Sequence, residues 1–300
     1  MTTDLDEAAT IFTGLRPRLF GIAYRMLSSA AEAEDLVQDV WLRWQATDRS
    51  AVLNPAAFLA TTTTRLAINA LQSARVRRET YIGPWLPEPV DTSADPYLGA
   101  ERGEALEFAA LMLMEKLTAN ERAAYVLREA FDYPYGQIAE ILQSTEPAVR
   151  QLVSRARKHM AAERRTPVSA AAQRELLTTF IEAARSGQMA ELERLFTPRV
   201  ASLSDGNGRH QVSRHPVVGA VKVARFLTTI SSWYWDGVEV EWITTNGQAS
   251  AVLRRDGVVS GWCTVIVSAD GIEEVLWLLN PAKLGGVSGL TSQTRTPDCP

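Results

Sequence analysis

Apolar residues return at helical spacing through residues 8–79. Leu19, Ile22, Ala23 and Met26 form one stripe, and Leu36, Val37, Val40, Trp41 and Trp44 form a second. Asn54-Pro55 reads as a helix start, with Asn54 as cap and Pro55 in the first turn. The helix that follows is anchored by Phe58, Leu59, Leu66 and Ile68 and ends in the basic cluster Arg75, Arg77 and Arg78. The pattern then breaks. Pro84, Pro87, Pro89 and Pro96, with Gly83 and Gly99, exclude a regular helix. This segment is read as an interdomain linker over residues 81–104. Its apolar members Tyr81, Ile82, Trp85 and Leu86 either dock on a partner surface or are exposed by chance. Helical spacing resumes over residues 105–165. Leu106 to Leu117 reads as one helix, and Thr118 with Glu121 gives a capping box for the next, Asn120 to Glu129. A short helix, Gln137 to Leu142, precedes a last one running from Glu146-Pro147 to about Arg164.

From residue 170 the period changes. An amphipathic helix, Gln173 to Ala184, and a short one holding Met189, Leu192 and Leu195 come first, and Ala220 to Ile230 is helical again. Strands are expected at Val238–Thr244, Ala249–Arg254, Val258–Val267 and Ile272–Leu279, punctuated by the turn dipeptides Asn246-Gly247, Asp256-Gly257 and Asp270-Gly271. The predicted architecture is multidomain: two all-α domains, residues 1–80 and 105–165, followed by an α+β domain over 170–290 with a curved antiparallel sheet backed by helices. The glycine-, serine- and threonine-rich chain after Gly285 reads as mobile, with a flexible tail at 291–300.

Bulk properties narrow the function classes. A chain of 300 residues that is 46% hydrophobic can bury two or three cores and is not a disordered polymer. A formal net charge of -4 argues against coating nucleic acid by charge alone but permits a local basic face. Cys263 and Cys299 frame no disulfide scaffold, and Cys263 sits in an apolar run as a buried thiol. With neither a signal-peptide pattern nor a run of 18 apolar residues, the chain reads as cytosolic, with no membrane partner.

Residues Tyr135 to Met160 have the order short helix, tight turn at Gln143–Thr145, longer helix. Ile138, Ala139 and Leu142 are expected to pack on Val149 and Leu152, making a helix-turn-helix. In such a unit the early residues Glu146, Ala148, Arg150 and Gln151 face base edges, while Arg155, Arg157 and Lys158 suit phosphates. The alternative is a solvated basic helix closing a bundle. In the first domain, Glu32, Glu34, Asp35 and Asp39 interleave with Leu36, Val40 and Trp41, a poor surface for DNA and a good one for a basic protein. Thr61 to Thr64 and Asn69 are polar groups that either contact bases or simply face water.

Taken together, AEAEDLVQDVWLRW and NPAAFLATTTTRLAINALQSARVRRE resemble region 2 of bacterial sigma factors, and LTANERAAYVLREAFDYPYGQIAEILQSTEPAVRQLVSRARKHM resembles region 4. The resemblance covers residues 8–165 and, without an intervening domain, is to the extracytoplasmic-function group. YIGPWLPEPV, DGNGR at Asp205–Arg209 and NPAKL at Asn280–Leu284 are similar to the subgroup with a C-terminal SnoaL-like domain, from whose usual motifs Asn207 and Ala282 depart. The resemblance implies a factor that binds core RNA polymerase and directs initiation at promoter DNA. It implies that Glu34, Asp35, Asp39 and Trp41 meet the clamp helices of the polymerase largest subunit. It further implies that Thr64, Asn69, Arg75, Arg77 and Arg78 serve the -10 element and melting, and that Arg150, Gln151 and Arg155 lie on the helix reading the -35 element. Leu152 stands where many relatives carry arginine.

The C-terminal segment resembles cone-shaped domains that include polyketide cyclases and ketosteroid isomerases, which need an acid or base inside the cone. The interior candidates here are Phe226, Trp233, Trp235, Trp242, Trp262 and Trp277, which either line an apolar ligand site or are core. His210 and His215 near Asp205 leave a metal site or an Asp-His pair open. The favoured reading is an exposed turn, Asp205, Gly206, Asn207, Gly208 and Arg209, with Arg209 meeting Glu88 or linker carbonyls. No catalytic, metal or cofactor residue is then assigned. Trp85, Leu86, Glu88, Asp205, Gly206, Gly208, Arg209, Asn280, Pro281, Lys283 and Leu284 form an interdomain regulatory set. The alternative is a DNA-binding regulator fused to a ligand-binding or cyclase/isomerase-like domain, with an unidentified small ligand.

Overall fold

The first apolar stripes fold as three helices, α1 (Thr2–Leu27), α2 (Ala30–Ala46) and α3 (Pro55–Glu79). Ser28 takes a left-handed conformation (φ 56) that turns the chain out of α1, and Ser29 caps α2 by accepting from the Glu32 amide at 3.2 Å. Asn54 caps α3 through the Ala57 amide at 3.1 Å. Leu19, Ile22 and Met26 of α1, Leu36, Val37 and Val40 of α2, and Leu59 and Ala67 of α3 are buried. Trp44 is buried as well and donates its indole N–H to the Ala8 carbonyl at 3.1 Å, so its polar handle is satisfied. The structure, a computed structural model, describes residues 2–91, 107–162 and 168–293.

The second helical domain holds α4 (Phe108–Met114), α5 (Ala119–Tyr125) continuing into a π-helical turn at Val126–Ala130, α6 (Tyr135–Ile141) and α7 (Glu146–Ala162). The Thr118–Glu121 capping box forms as expected. Gln143, at φ 51, makes the tight turn between α6 and α7. Val149, Val153 and Ala156 bury one stripe of α7, while Leu152 is half-buried at its edge.

Both helical domains belong to one compact unit, residues 1–79 with 94–164. Arg122 is buried between them. Its guanidinium donates to the Arg25 carbonyl at 2.8 Å, to the Ser28 hydroxyl, and to Glu115 at 2.5 Å. Arg65 of α3 donates to the Ile141 carbonyl at 2.9 Å and the Glu140 carbonyl at 3.1 Å, covering acceptors at the carboxyl end of α6.

The other unit is built from residues 80–93 and 165–300. It contains α8 (Ala170–Ser186), α9 (Met189–Leu195), β1 (Phe196–Asp205), β2 (Val217–Val218), α10 (Ala220–Tyr234), β3 (Val238–Thr245), β4 (Gln248–Arg255), β5 (Val258–Ser268), β6 (Gly271–Leu278) and α11 (Pro281–Gln293). The six strands run in the order β2-β1-β6-β5-β4-β3. The sheet is not wholly antiparallel: β1 pairs parallel with β6. That strand escapes sequence patterning because Pro198 and a register shift between Phe196 and Ala201 blur its alternation, and its partner lies far along the chain. Gly271 is required where β6 begins, since a Cβ there would stand 2.6 Å from the Leu195 carbonyl oxygen.

Alternation along β5 and β6 sends Cys263, Val265, Val275 and Trp277 into a core with Leu177, Phe180, Val223 and Leu227 of the helices. Trp262, Ile266, Leu276 and Leu278 therefore face the opposite side, where α11 packs on β5 and buries Leu284 and Val287. The expected mobile tail after Gly285 is thus helix to Gln293, because α11 has an apolar face to cover. Residues 294–300 lie outside the described residues.

Gln173 joins helix to sheet. Its amide accepts from the Ala249 N–H at 3.0 Å and donates to the Ala249 and Val265 carbonyls at 3.1 and 3.3 Å. β4 and β5 are paired only from Ala251↔Cys263 to Arg255↔Val258, so this side chain stands in for a peptide group where the two strands part.

Candidate functional site

On α2, Glu34, Asp35 and Asp39 are exposed along one edge while Leu36, Val37 and Val40 point inward, so the i, i+3/i+4 spacing separates charge from core. Glu34 pairs with Arg16. Trp41 is half-buried against the Phe12 ring at 5.0 Å, so only part of its edge is presented.

The polar face of α3 opens on a cavity of about 540 Å³ lined by Arg43, Phe58, Thr61, Thr62, Arg65 and Asn69, with Ala57 and Leu66. Thr64 is not on it. It is buried and returns its hydroxyl to the Ala60 carbonyl at 2.9 Å, because its position falls on the core side of the helix. Asn69 is exposed at the cavity rim. Arg65 and Arg43 were missed as candidates in the sequence, where a lone arginine within a helix gives no signal. The side chains of Arg75, Arg77 and Arg78 lie outside the described residues, as do Arg164 and Arg165.

On α7, Glu146, Arg150, Gln151, Arg155, Arg157 and Lys158 are exposed and Ala148 is half-buried. Helical geometry sets Gln151 and Lys158 opposite the buried stripe Val149, Val153 and Ala156, at the middle of the outward face. The arginines flank them and are not free charges. Arg150 pairs with Glu146 and lies 4.3 Å over the Tyr135 ring, Arg155 pairs with Glu121 at 3.1 Å, and Arg157 pairs with Glu129 at 2.7 Å. Burial raises the Glu121 carboxyl, but hydrogen bonds from Thr118 and the charges of Arg155 and His159 outweigh it and hold it below its ordinary value.

The strongest constellation lies in the other unit. Asp205, expected on an exposed turn, is fully buried. One of its carboxylate oxygens accepts from the Tyr81 hydroxyl; the other accepts from the Leu86 amide at 2.9 Å and from the Lys283 ammonium at 2.7 Å. Lys283, also buried, donates to the Leu86 carbonyl at 2.7 Å and sits 4.0 Å over the Trp85 ring. Asn280 caps α11, accepting from the Ala282 amide at 3.1 Å, and donates to the Tyr81 hydroxyl at 2.8 Å. Pro281 fills the first turn of α11 and Leu284 anchors it in the core. Farther along, the Val90 amide donates to the Asn246 side chain at 3.0 Å, and Asp91 bridges Thr245 on β3. The linker from Thr80 to Asp91 is thus a built part of this unit, with Leu86 and Val90 buried. Tyr81 is raised well above its usual phenol value by burial and by its bond to the Asp205 carboxylate.

Arg209 does not pair with Glu88 or the linker. It is exposed and donates to the Leu279 carbonyl at 3.2 Å, tying the turn to the end of β6. Glu88 is half-buried and has interactions of its own. Gly206 has no room for a side chain, since a Cβ would meet Val212 at 2.6 Å, and Gly208 at φ 78 lies against Ile82. Asn207 takes φ 45, a conformation asparagine tolerates, so its departure from glycine leaves the turn intact. His210 and His215 are exposed, and Asp205 is already engaged by three donors, so no Asp-His pair forms. Of the aromatic candidates, Trp235 and Trp277 are in the core, with their rings 6.3 Å apart. Trp262 is buried on the other face, Phe226 and Trp242 are half-buried beside the core, and Trp233 is exposed. Burial raises the Cys263 thiol well above its usual value and leaves it a core residue. Among the described residues, no helix is long and apolar enough to cross a membrane.

Residues 11–77 match the sigma-70 region 2 family, and residues 107–160 match the sigma-70 region 4 family. The chain is similar to the ECF RNA polymerase sigma factor SigJ of Mycobacterium tuberculosis, at 35% identity over 292 residues covering 92% of each chain. It is also similar to the probable ECF RNA polymerase sigma factor SigI of that organism, at 28% identity with 93% of this chain and 95% of that one covered. The crystal structure of M. tuberculosis SigJ superposes with a TM-score of 0.73 over 93% of this chain and 98% of that chain, at 30% identity.

Proposed function

Since this chain belongs to the extracytoplasmic-function RNA polymerase sigma factors, we propose that its SnoaL-like domain tunes initiation by holding the segment that joins the two promoter-reading domains. One observation carries this: Asp205, a buried carboxylate of the C-terminal unit, spends both oxygens on Tyr81, Leu86 and Lys283. A buried ion pair is costly to desolvate and is tolerated only when its remaining lone pairs and protons are met. Here the linker backbone meets them on both sides, so linker and domain are coupled.

Core polymerase and promoter DNA are the partners of a sigma factor. The exposed edge Glu34, Asp35 and Asp39 beside Trp41 is the surface we assign to polymerase. The cavity beside Phe58, Thr61, Thr62, Arg65 and Asn69 has the size and mixed lining to take an unstacked base of the -10 element, with Arg43 and Arg65 near its phosphates. Thr64 is replaced in that role by Thr61 and Thr62; Arg75, Arg77 and Arg78 remain candidates for the adjoining backbone. On α7, Gln151 and Lys158, flanked by Arg150, Arg155 and Arg157 and preceded by Glu146 and Ala148, form the face offered to the -35 element.

The C-terminal domain is a regulator in this reading, not an enzyme. Asp205 is its one fully buried carboxylate among the described residues, and it serves the linker. The test is run-off transcription with core polymerase, comparing the full chain, a chain ending near residue 168, and Lys283→Ala. Altered transcription together with faster amide exchange in residues 81–90 supports the reading. Parental transcription and parental exchange from Lys283→Ala would remove it.

A further inference from the structure

The chain carries more acidic than basic residues, 35 against 31, yet from Gly206 to Trp235 it has no Asp or Glu at all. The same stretch holds Arg209, Arg214, Lys222 and Arg225, with His210 and His215, and every one of these six side chains is exposed. Arg199 adds to them. The pairing of β1 with β2 (Ala201↔Val218), and the bond from the Gly219 amide to the Val200 carbonyl at 2.8 Å, bring it beside the start of α10. In contrast to the arginines of α7, none of Arg199, Arg214, Lys222 and Arg225 forms an ion pair among the described residues.

A further source of positive potential lies within this strip. Helix α10 is capped by Gly219 without a side-chain hydrogen bond, so its first amides and the positive end of its dipole are open to an acceptor. Arg199 and Arg209 are separated along β1 and its following turn, so the strip spans roughly 20 Å, counting about 3.3 Å for each of the six steps from residue 199 to residue 205. Such a strip matches a line of phosphates rather than one small anion.

We propose that this cation-rich strip of the C-terminal domain, running from the turn after Asp205 to α10, binds the phosphate backbone of duplex DNA. The face is an additional, sequence-independent contact of the sigma factor. Long exposed cations such as these suit the phosphate backbone. The helical unit delivers the chain to a promoter, and the covalent connection then raises the local concentration of DNA at this face.

The test uses the full chain and a duplex that contains no promoter element, so its outcome does not depend on how the helical unit reads sequence. Affinity is measured by fluorescence anisotropy at several salt concentrations between about 0.05 and 0.2 M. The variant Arg214→Ser/Lys222→Ser/Arg225→Ser removes three unpaired surface cations and leaves the core untouched. The dependence of log K on log salt should become shallower by about 0.9 for each side chain that neutralises a phosphate. The charge-matched variant Arg174→Ser/Arg185→Ser/Arg194→Ser, on α8 and α9, should keep the parental slope. Equal slopes for parent and the first variant overturn the proposal, as do equal losses in both variants, which would report net charge alone. A first variant that loses affinity for core polymerase while keeping the parental DNA slope also overturns it and assigns the face to an acidic protein surface.

Discussion

At the scale of single residues, the buried Asp205–Lys283 pair makes the sharpest predictions. Asp205→Asn leaves the Lys283 ammonium without its counter-charge inside the protein, and the C-terminal unit should lose about 3–5 kcal/mol in denaturant unfolding. The double variant Asp205→Asn/Lys283→Met should recover much of that loss, because no uncompensated charge remains. Tyr81 adds a pH signature. Its hydroxyl is held neutral above its usual value near 10, so its contribution is complete below that value. It is lost as the pH rises toward the folded value, since the unfolded tyrosine gives up its proton first. An alkaline unfolding series on the parent and Tyr81→Phe should show a flatter decline for the variant. Gln173→Ala removes a surrogate peptide between β4 and β5 and strands the Ala249 N–H. A loss of roughly 2–3 kcal/mol is expected, read by the same denaturant titration.

The secondary elements are largely legible in the sequence, and the exceptions have physical causes. Thr118 with Glu121, and Asn54-Pro55, fix helix starts by local hydrogen bonding, so both were readable. Strand β1 depends on a parallel partner some 70 residues away, and α11 depends on a sheet face to cover, so neither leaves a local signal. The motif around Asp205 was visible as a motif, but not its burial, since a D-G-N-G run reads as a surface turn unless Tyr81 and Lys283 are known to converge on it. By sequence Arg155 and Arg157 of α7 suit phosphates, yet Glu121 and Glu129 hold them in the free protein. Lys158→Ala should therefore lower the salt slope of promoter binding by about 0.9, and Arg155→Ala by less. Gln151→Ala should change preference within the -35 element by about 1–3 kcal/mol, read in promoter competition assays.

At the scale of the whole molecule, the two promoter-reading domains are packed together through Arg122 and Arg65. Arg65 both lines the α3 cavity and covers the end of α6, so the packed arrangement engages a side chain assigned to DNA. We expect that packing to open when separate -10 and -35 elements are engaged. A fluorophore pair on Gln38 and Ser154, both exposed, should move apart when core polymerase is added, and Arg65→Ala should shift the free protein toward the separated state.

The order of the chain and the order of its bodies do not coincide. Residues 80–93 and 165–300 form one body, so the second helical domain is an excursion that leaves that body and returns to it. Letting go of the segment from Thr80 to Asp91 would turn those twelve residues into slack, up to about 40 Å when fully drawn out. If the proposed function holds, a handful of hydrogen bonds around one carboxylate would meter how far apart the two reading heads can stand, and removing the C-terminal domain would change a length as well as delete a surface.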